Sequence, residues 1–158
     1  MKNILIPTDF TIRSLKLITA AINHFKEHQL QIHLIHALEP DDSISGLLFM
    51  NKRLNVHSLY DDTFLQSCEM IKNRYASTLV RINIEFYFGS SNSYKNNYMN
   101  ERKIDAVILP IDYQFENCST TNSVSPIKLW KNVNVPVVHV TMPEYKPALQ
   151  SMASLLHS

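Results

Sequence analysis

The chain has 158 residues, 45% of them hydrophobic, with 15 Lys+Arg against 14 Asp+Glu and a formal net charge of +1. One domain with an ordinary core fits that length and composition. Balanced charge with no Lys/Arg run longer than two excludes the concentrated basic field that general nucleic-acid or membrane-surface binding needs, and no apolar stretch approaches a membrane span. Cys68 and Cys118 form no C-x-x-C pair and no zinc spacing, which reads as two reduced thiols in a cytoplasmic protein. Ile4-Leu5-Ile6 is too short an apolar run for a signal peptide, and Pro7-Thr8-Asp9 breaks it. Gly46 and Gly89 are the only glycines, too few for a Gly-rich phosphate cradle.

In chain order, Asn3 to Pro7 reads as a short strand whose apolar run lacks alternation, as expected of a parallel strand covered on both faces. Thr8 to Thr11 follows as a loop, with Asp9 and Thr11 as helix N-cap candidates. Leu15, Ile18, Ile22 and Phe25 recur at helical spacing and predict a first helix from about Ile12 to His28. Gln31 to Leu38 predicts a second strand. Residues 43 to 56 carry no clear pattern. Tyr60, Phe64, Cys68, Ile71 and Tyr75 mark a second helix from about Ser58 to Leu79.

Ile82, Ile84, Phe86 and Phe88 alternate with Asn83, Glu85 and Tyr87, the pattern of a strand at or beside a sheet edge with one wetter face. A short polar helix to about Arg102, a fourth strand from Asp105 to Pro110, and a polar loop from Ile111 to Ser123 follow. A helix from about Val124 to Lys131 and a last strand from Val135 to Val140 complete the pattern. Strands alternating with helices imply a parallel sheet with helices on both faces. Ligands of such sheets bind beyond the carboxyl ends of the strands, where the strand order reverses. That region gathers Pro7-Thr8-Asp9, Ala37 at the end of strand two, and the loop after Pro110, with His36 near the same cleft.

Four segments, in this order, resemble the universal stress protein family over residues 1 to about 141. They are Met1 to Thr11, Leu34-Ile35-His36-Ala37, Ile104-Asp105-Ala106-Val107-Ile108-Leu109, and Val135-Pro136-Val137-Val138-His139-Val140. The resemblance implies a five-stranded parallel Rossmann-like sheet, order 3-2-1-4-5, and leaves 142 to 158 as a C-terminal extension. ATP-binding members of that family carry G-x2-G-x9-G-[S/T] after the fourth strand, whose backbone N–H groups meet the phosphates. The matching frame here runs Pro110, Tyr113, Ser123 and Val124, so the spacing survives without the glycines. Pro110 has no N–H to donate, and Tyr113 adds bulk where the backbone should be bare. A slip of one residue places Asn122-Ser123 at the Gly-Ser corner. Thr8 and Asp9 match residues that contact nucleotide in the family, although Asp9 serves equally as a cap for helix one.

His24-Phe25-Lys26-Glu27-His28 matches H-x-x-E-H, a zinc-peptidase pattern, but its two histidines lie off the apolar stripe near a helix end, where a solvated face is the expected reading. No nucleophile elbow, P-loop or dinucleotide fingerprint is present. The expectation is a non-enzymatic regulatory protein without a bound cofactor, adenine nucleotide being the one alternative. It contacts a protein partner and, as the resemblance implies, pairs as a homodimer through Val135, Val137, Val138, His139 and Val140. The alternatives are a nucleotide sensor with a degenerate loop and a metal-dependent hydrolase using His24, Glu27 and His28. Leu149, Met152 and Leu156 of the extension are expected to pack on the dimer.

Overall fold

A computed structural model describes residues 1–38, 61–88, 91–116 and 125–142. Five parallel strands form one sheet: β1 Lys2–Pro7, β2 Leu30–Ala37, β3 Leu79–Tyr87, β4 Ala106–Pro110 and β5 Val137–Val140. The order is β3-β2-β1-β4-β5, as the resemblance implies, so β3 and β5 are the edges. Register runs without a break from Lys2↔Leu30 to Pro7↔Ile35 between β1 and β2, while β4 meets β1 at Ile4↔Ala106 and β5 at Val107↔Val137. The chain steps one way from β1 to β2 and the other way to β4. The carboxyl edge between β1 and β4 is therefore the place where a cleft opens.

The helices are α1 Lys16–His24, α2 Asp62–Arg74, α3 Asn92–Glu101 and α4 Pro126–Trp130, and a 3-10 turn Arg13–Leu15 leads into α1. Alternate strand residues divide into two cores. Ile4, Ile6, Ile32, Leu34 and Ile108 pack with Leu17, Ile18 and Ala21 of α1 and Phe64 and Cys68 of α2. Leu5, Ile35, Val107 and Leu109 pack on the other face with Tyr98 and Met99 of α3 and Trp130 of α4. Both faces of β1 and β4 are thus covered, which is why those strands read as continuous apolar runs.

The first helix is shorter than its stripe predicts. Phe25 leaves the helical region at φ −107°, ψ 50°, turning its ring onto the core, and His28 closes a separate turn through its N–H to the Phe25 carbonyl. The second helix ends at Arg74, and Leu79, read as its end, already opens β3. Asp61 caps α2 by accepting the Phe64 N–H at 3.0 Å, and Ser91 does the same for Tyr94 of α3. Lys103 follows α3 at φ 52°, and Ile104 N–H bonds the Met99 carbonyl, a left-handed helix stop without glycine. The strand predicted from Val135 is shorter, Val137–Val140, although Val107 N–H already bonds the Pro136 carbonyl. Residues 43 to 56 and the extension residues Leu149, Met152 and Leu156 lie outside the described residues. No helix among the described residues is long and apolar enough to cross a membrane.

The wetter face of β3 carries a polar seam. Glu85 Oε1 accepts from Arg102 Nε at 2.6 Å and from the Tyr98 hydroxyl at 2.9 Å, and its Oε2 lies 3.4 Å from His33 Nδ1. His33 Nε2 lies 3.3 Å from Asn3 Oδ1. The Arg102 guanidinium also covers the Tyr98 ring, 3.5 Å from its centroid. The bond with His33 draws the Glu85 carboxyl down, burial works against it, and the Arg102 and Tyr98 bonds complete a drop to about 2.

Candidate functional site

The turn leaving β1 is built from small hydroxyls and one strained aromatic. The Thr8 N–H bonds the Ile35 carbonyl, holding the turn to β2. Thr8 Oγ1 accepts the Phe10 N–H at 3.0 Å. Ser14 Oγ donates its single proton to the Thr11 carbonyl at 2.8 Å, so in the 3.0 Å contact between Ser14 and Thr8 it is Thr8 that donates. Phe10 takes φ 65°, a left-handed conformation unusual for a bulky residue. Its ring is held by His36 at 4.7 Å and by Phe64 and Phe86, both at 5.6 Å. That packing keeps the chain tightly turned and aims Asp9 toward β4.

Asp9 does not cap the following helix. Its Oδ1 accepts from the Thr11 N–H at 3.1 Å and the Thr11 hydroxyl at 2.6 Å, and its Oδ2 accepts from the Tyr113 hydroxyl at 2.6 Å and the Glu116 N–H at 2.8 Å. Thr11 itself caps the 3-10 turn, its Oγ1 accepting the Ser14 N–H. The Thr11 and Tyr113 hydroxyls lie 3.1 Å apart, but each has one proton and spends it on Asp9. The geometry therefore requires an ionised carboxylate. Burial pushes the Asp9 carboxyl up, but the bonds from Thr11, Tyr113 and the Glu116 amide outweigh it and hold the group below its usual range. Asp9 is 5% exposed.

His36 ends close by on β2, with Nδ1 2.8 Å from the Thr8 carbonyl oxygen. A carbonyl only accepts, so Nδ1 carries the proton and Nε2 is the acceptor of the neutral ring. Burial lowers the His36 pKa against the pull of that carbonyl and of Asp9, which keeps the imidazole uncharged.

These groups surround a cavity of about 420 Å³ at the carboxyl edge between β1 and β4, within the range of small-molecule sites. Thr8, Asp9 and His36 form its floor. Tyr113, Gln114, Phe115 and Glu116 form one wall, and Ser125, Pro126 and Ile127 at the start of α4 form another. The described lining contains two carboxylates, Asp9 and Glu116, and neither lysine nor arginine. The chain from Pro110 to Ser125 likewise contains no Lys or Arg and adds Asp112. Tyr113 and Phe115 meet edge to face at 5.2 Å.

Of the residues picked from sequence for a nucleotide cleft, Thr8 and Asp9 line this cavity. Pro7, Ala37 and Pro110 end β1, β2 and β4 at the same edge without lining it. Asn122, Ser123 and Val124 lie outside the described residues. Tyr113 lies on the cavity wall, but as the donor that occupies Asp9. The H-x-x-E-H reading loses its premise: α1 ends at His24, so His24 and His28 are not one helical turn apart on a common face. Among the described residues no cluster of His, Cys, Asp or Glu is suited to a metal ion.

No protein-family model and no curated protein matches the chain. Solved structures do. A universal stress protein UspA from Lactobacillus plantarum superposes with a TM-score of 0.55 at 14% identity, covering 88% of this chain and 97% of that one. A hypothetical protein, MJ0577, gives 0.51 at 16% identity over 91% and 98%. A protein from the universal stress protein family from Burkholderia pseudomallei gives 0.50 at 9% identity over 88% and 95%. With near-complete mutual coverage and a parallel sheet of order β3-β2-β1-β4-β5, the chain has the Rossmann-like α/β fold of the universal stress proteins.

Proposed function

We propose that this chain is a non-enzymatic regulatory protein of the stress-response type, which leaves ATP unbound and acts through protein contacts as a homodimer paired along β5. The observation that carries the reading is the saturation of Asp9. All four of its acceptor positions are filled from within the chain, two of them by Tyr113 and the Glu116 amide of the loop leaving β4. A triphosphate would enter a cavity whose described lining offers two carboxylates and no cation, next to a Pro110 that has no amide to give. Like charge and missing donors both oppose it.

The dimer rests on β5 being an edge. Val107 and Ile111 N–H bond the Pro136 and Val140 carbonyls, so the even-numbered residues face β4, and Val137 and His139 turn their backbone groups outward. Unpaired outward groups on an apolar edge favour pairing with a second copy.

The position of the cavity favours a second reading, a nucleotide sensor with a degenerate loop, because this edge is where open α/β sheets take ligands. Calorimetry of the intact chain with ATP, ADP and AMP, alongside light scattering for mass, separates the two. No saturable heat together with a dimeric mass supports the proposal. Micromolar nucleotide binding selects the sensor.

A further inference from the structure

The cavity that disfavours a phosphate has features that suit the opposite charge. Asp9 is ionised, 5% exposed, and held only by neutral donors; among the described residues no ion pair reaches it. Buried charges are ordinarily paired with an opposite charge. The amides opening the first helix offset about half an elementary charge at best. Glu116 adds a second carboxylate on the same lining, exposed to solvent, with its backbone rather than its side chain bonded to Asp9. Arg13 sits on the Tyr113 ring, 5.2 Å from its centroid, but is exposed and does not line the cavity, so solvent screens it.

We propose that this cavity binds a small organic ammonium ion, seated against the Tyr113 and Phe115 rings with the Glu116 carboxylate as its ion-pair partner. The faces of the Tyr113 and Phe115 rings attract a cation, and the rings, set edge to face, cover its apolar part. Asp9 acts through its field rather than by contact, since its four acceptor positions are taken. The same saturation argues against a metal ion, which needs oxygen ligands with open lone pairs. A volume of about 420 Å³ holds an amine with an alkyl or aryl body rather than a bare ion. The inference goes beyond the proposed function and does not depend on dimerisation or on a protein partner.

The test is an amide-resolved NMR titration of the intact protein. Choline is compared with its neutral isostere 3,3-dimethylbutan-1-ol, in which carbon replaces the quaternary nitrogen, and phenethylamine with phenethyl alcohol; AMP is the anionic control. The expected result is that at least one amine shifts the Thr11, Tyr113 and Glu116 amides saturably, about tenfold more tightly than its neutral analogue. Glu116→Gln, an exposed change that spares the backbone bond to Asp9, should abolish that preference. AMP should give no saturable shift. The proposal is overturned if neither amine is preferred over its neutral analogue, if the preference survives Glu116→Gln, or if AMP binds more tightly than both amines. Tight AMP binding would overturn both readings, whereas loss of the amine preference without nucleotide binding overturns this one alone and leaves the proposed function intact.

Discussion

Tyr113 donates its phenolic proton to Asp9 Oδ2 at 2.6 Å, joining residues 104 apart in the chain. The bond ties the turn leaving β1 to the turn leaving β4, across the edge where the sheet reverses its winding. It also orients both groups: burial first, and then the bond to Asp9, push the phenol far above its usual pKa. Tyr113 is therefore a fixed donor and Asp9 a fixed acceptor.

Removing that donor should be costly. Tyr113→Phe leaves the ring against Phe115 but strips one bond from a buried carboxylate, and bonds to charged groups contribute about 1.5–3 kcal/mol. Urea denaturation should show a lower midpoint at unchanged slope, and amide exchange at Glu116 should quicken. A midpoint equal to the parent would mean the bond contributes nothing to the loop.

Acid should weaken the fold through two carboxylates. Glu85 falls from 4.5 to about 2 in the folded state, and Asp9 is lowered from 3.8. A depressed folded pKa gives stability that is fully present above the unfolded value and lost as pH drops through the folded one. For Glu85 that window runs from about pH 4.5 down to about pH 2. Screening at this partly exposed carboxylate trims its contribution to about 1–2 kcal/mol. Glu85→Gln should lower stability at pH 7 and flatten the acid limb between those values. An acid limb as steep as that of the parent protein would assign the loss to other groups.

Lys103 and Phe10 both take positive φ, at 52° and 65°, yet substitution by glycine should act on them in opposite directions. Lys103 is a surface helix stop where glycine relieves left-handed strain, so Lys103→Gly should raise stability by about 1 kcal/mol. Phe10→Gly relieves the same strain but deletes a ring packed on His36, Phe64 and Phe86, with a loss of about 3–5 kcal/mol expected for a buried aromatic. Thermal unfolding of the two variants should move in opposite directions from the parent protein.

The contrast between these residues explains what could be read from the chain. Ile4-Leu5-Ile6 and Val107-Ile108-Leu109 declare buried parallel strands because burial on both faces leaves no polar positions. The edge character of β3 is legible in the alternation around Glu85 for the converse reason. Helix ends were less legible: with glycine scarce, Phe25 and Lys103 end helices that sequence signals would continue or leave unmarked. Asp9 was visible as a loop carboxylate, but a local capping role was the natural expectation. Beside two local bonds from Thr11, it takes two from Tyr113 and Glu116, 104 and 107 residues away, and no periodicity records such bonds. Tyr113 stood out only as bulk in place of glycine, because its hydroxyl gains meaning once β1 and β4 are neighbours.

Pairing along β5 can be broken without touching β4. His139 turns its N–H outward, so His139→Pro removes a donor needed by a second copy while the bonds of Pro136 and Val140 to β4 remain. Light scattering should show a dimeric mass for the parent chain and a monomeric mass for the variant, with near-native circular dichroism in both. A dimer that survives His139→Pro would place the interface elsewhere.

The proposed exclusion of adenosine triphosphate from the edge between β1 and β4 rests on contacts made within the chain. Its most direct measurement is an amide titration with magnesium and ATP that follows Thr11 and Glu116, the two backbone donors to Asp9. Neither resonance should move saturably at millimolar nucleotide. Saturable shifts of both with a micromolar midpoint, accompanied by loss of the Tyr113 bond, would contradict it.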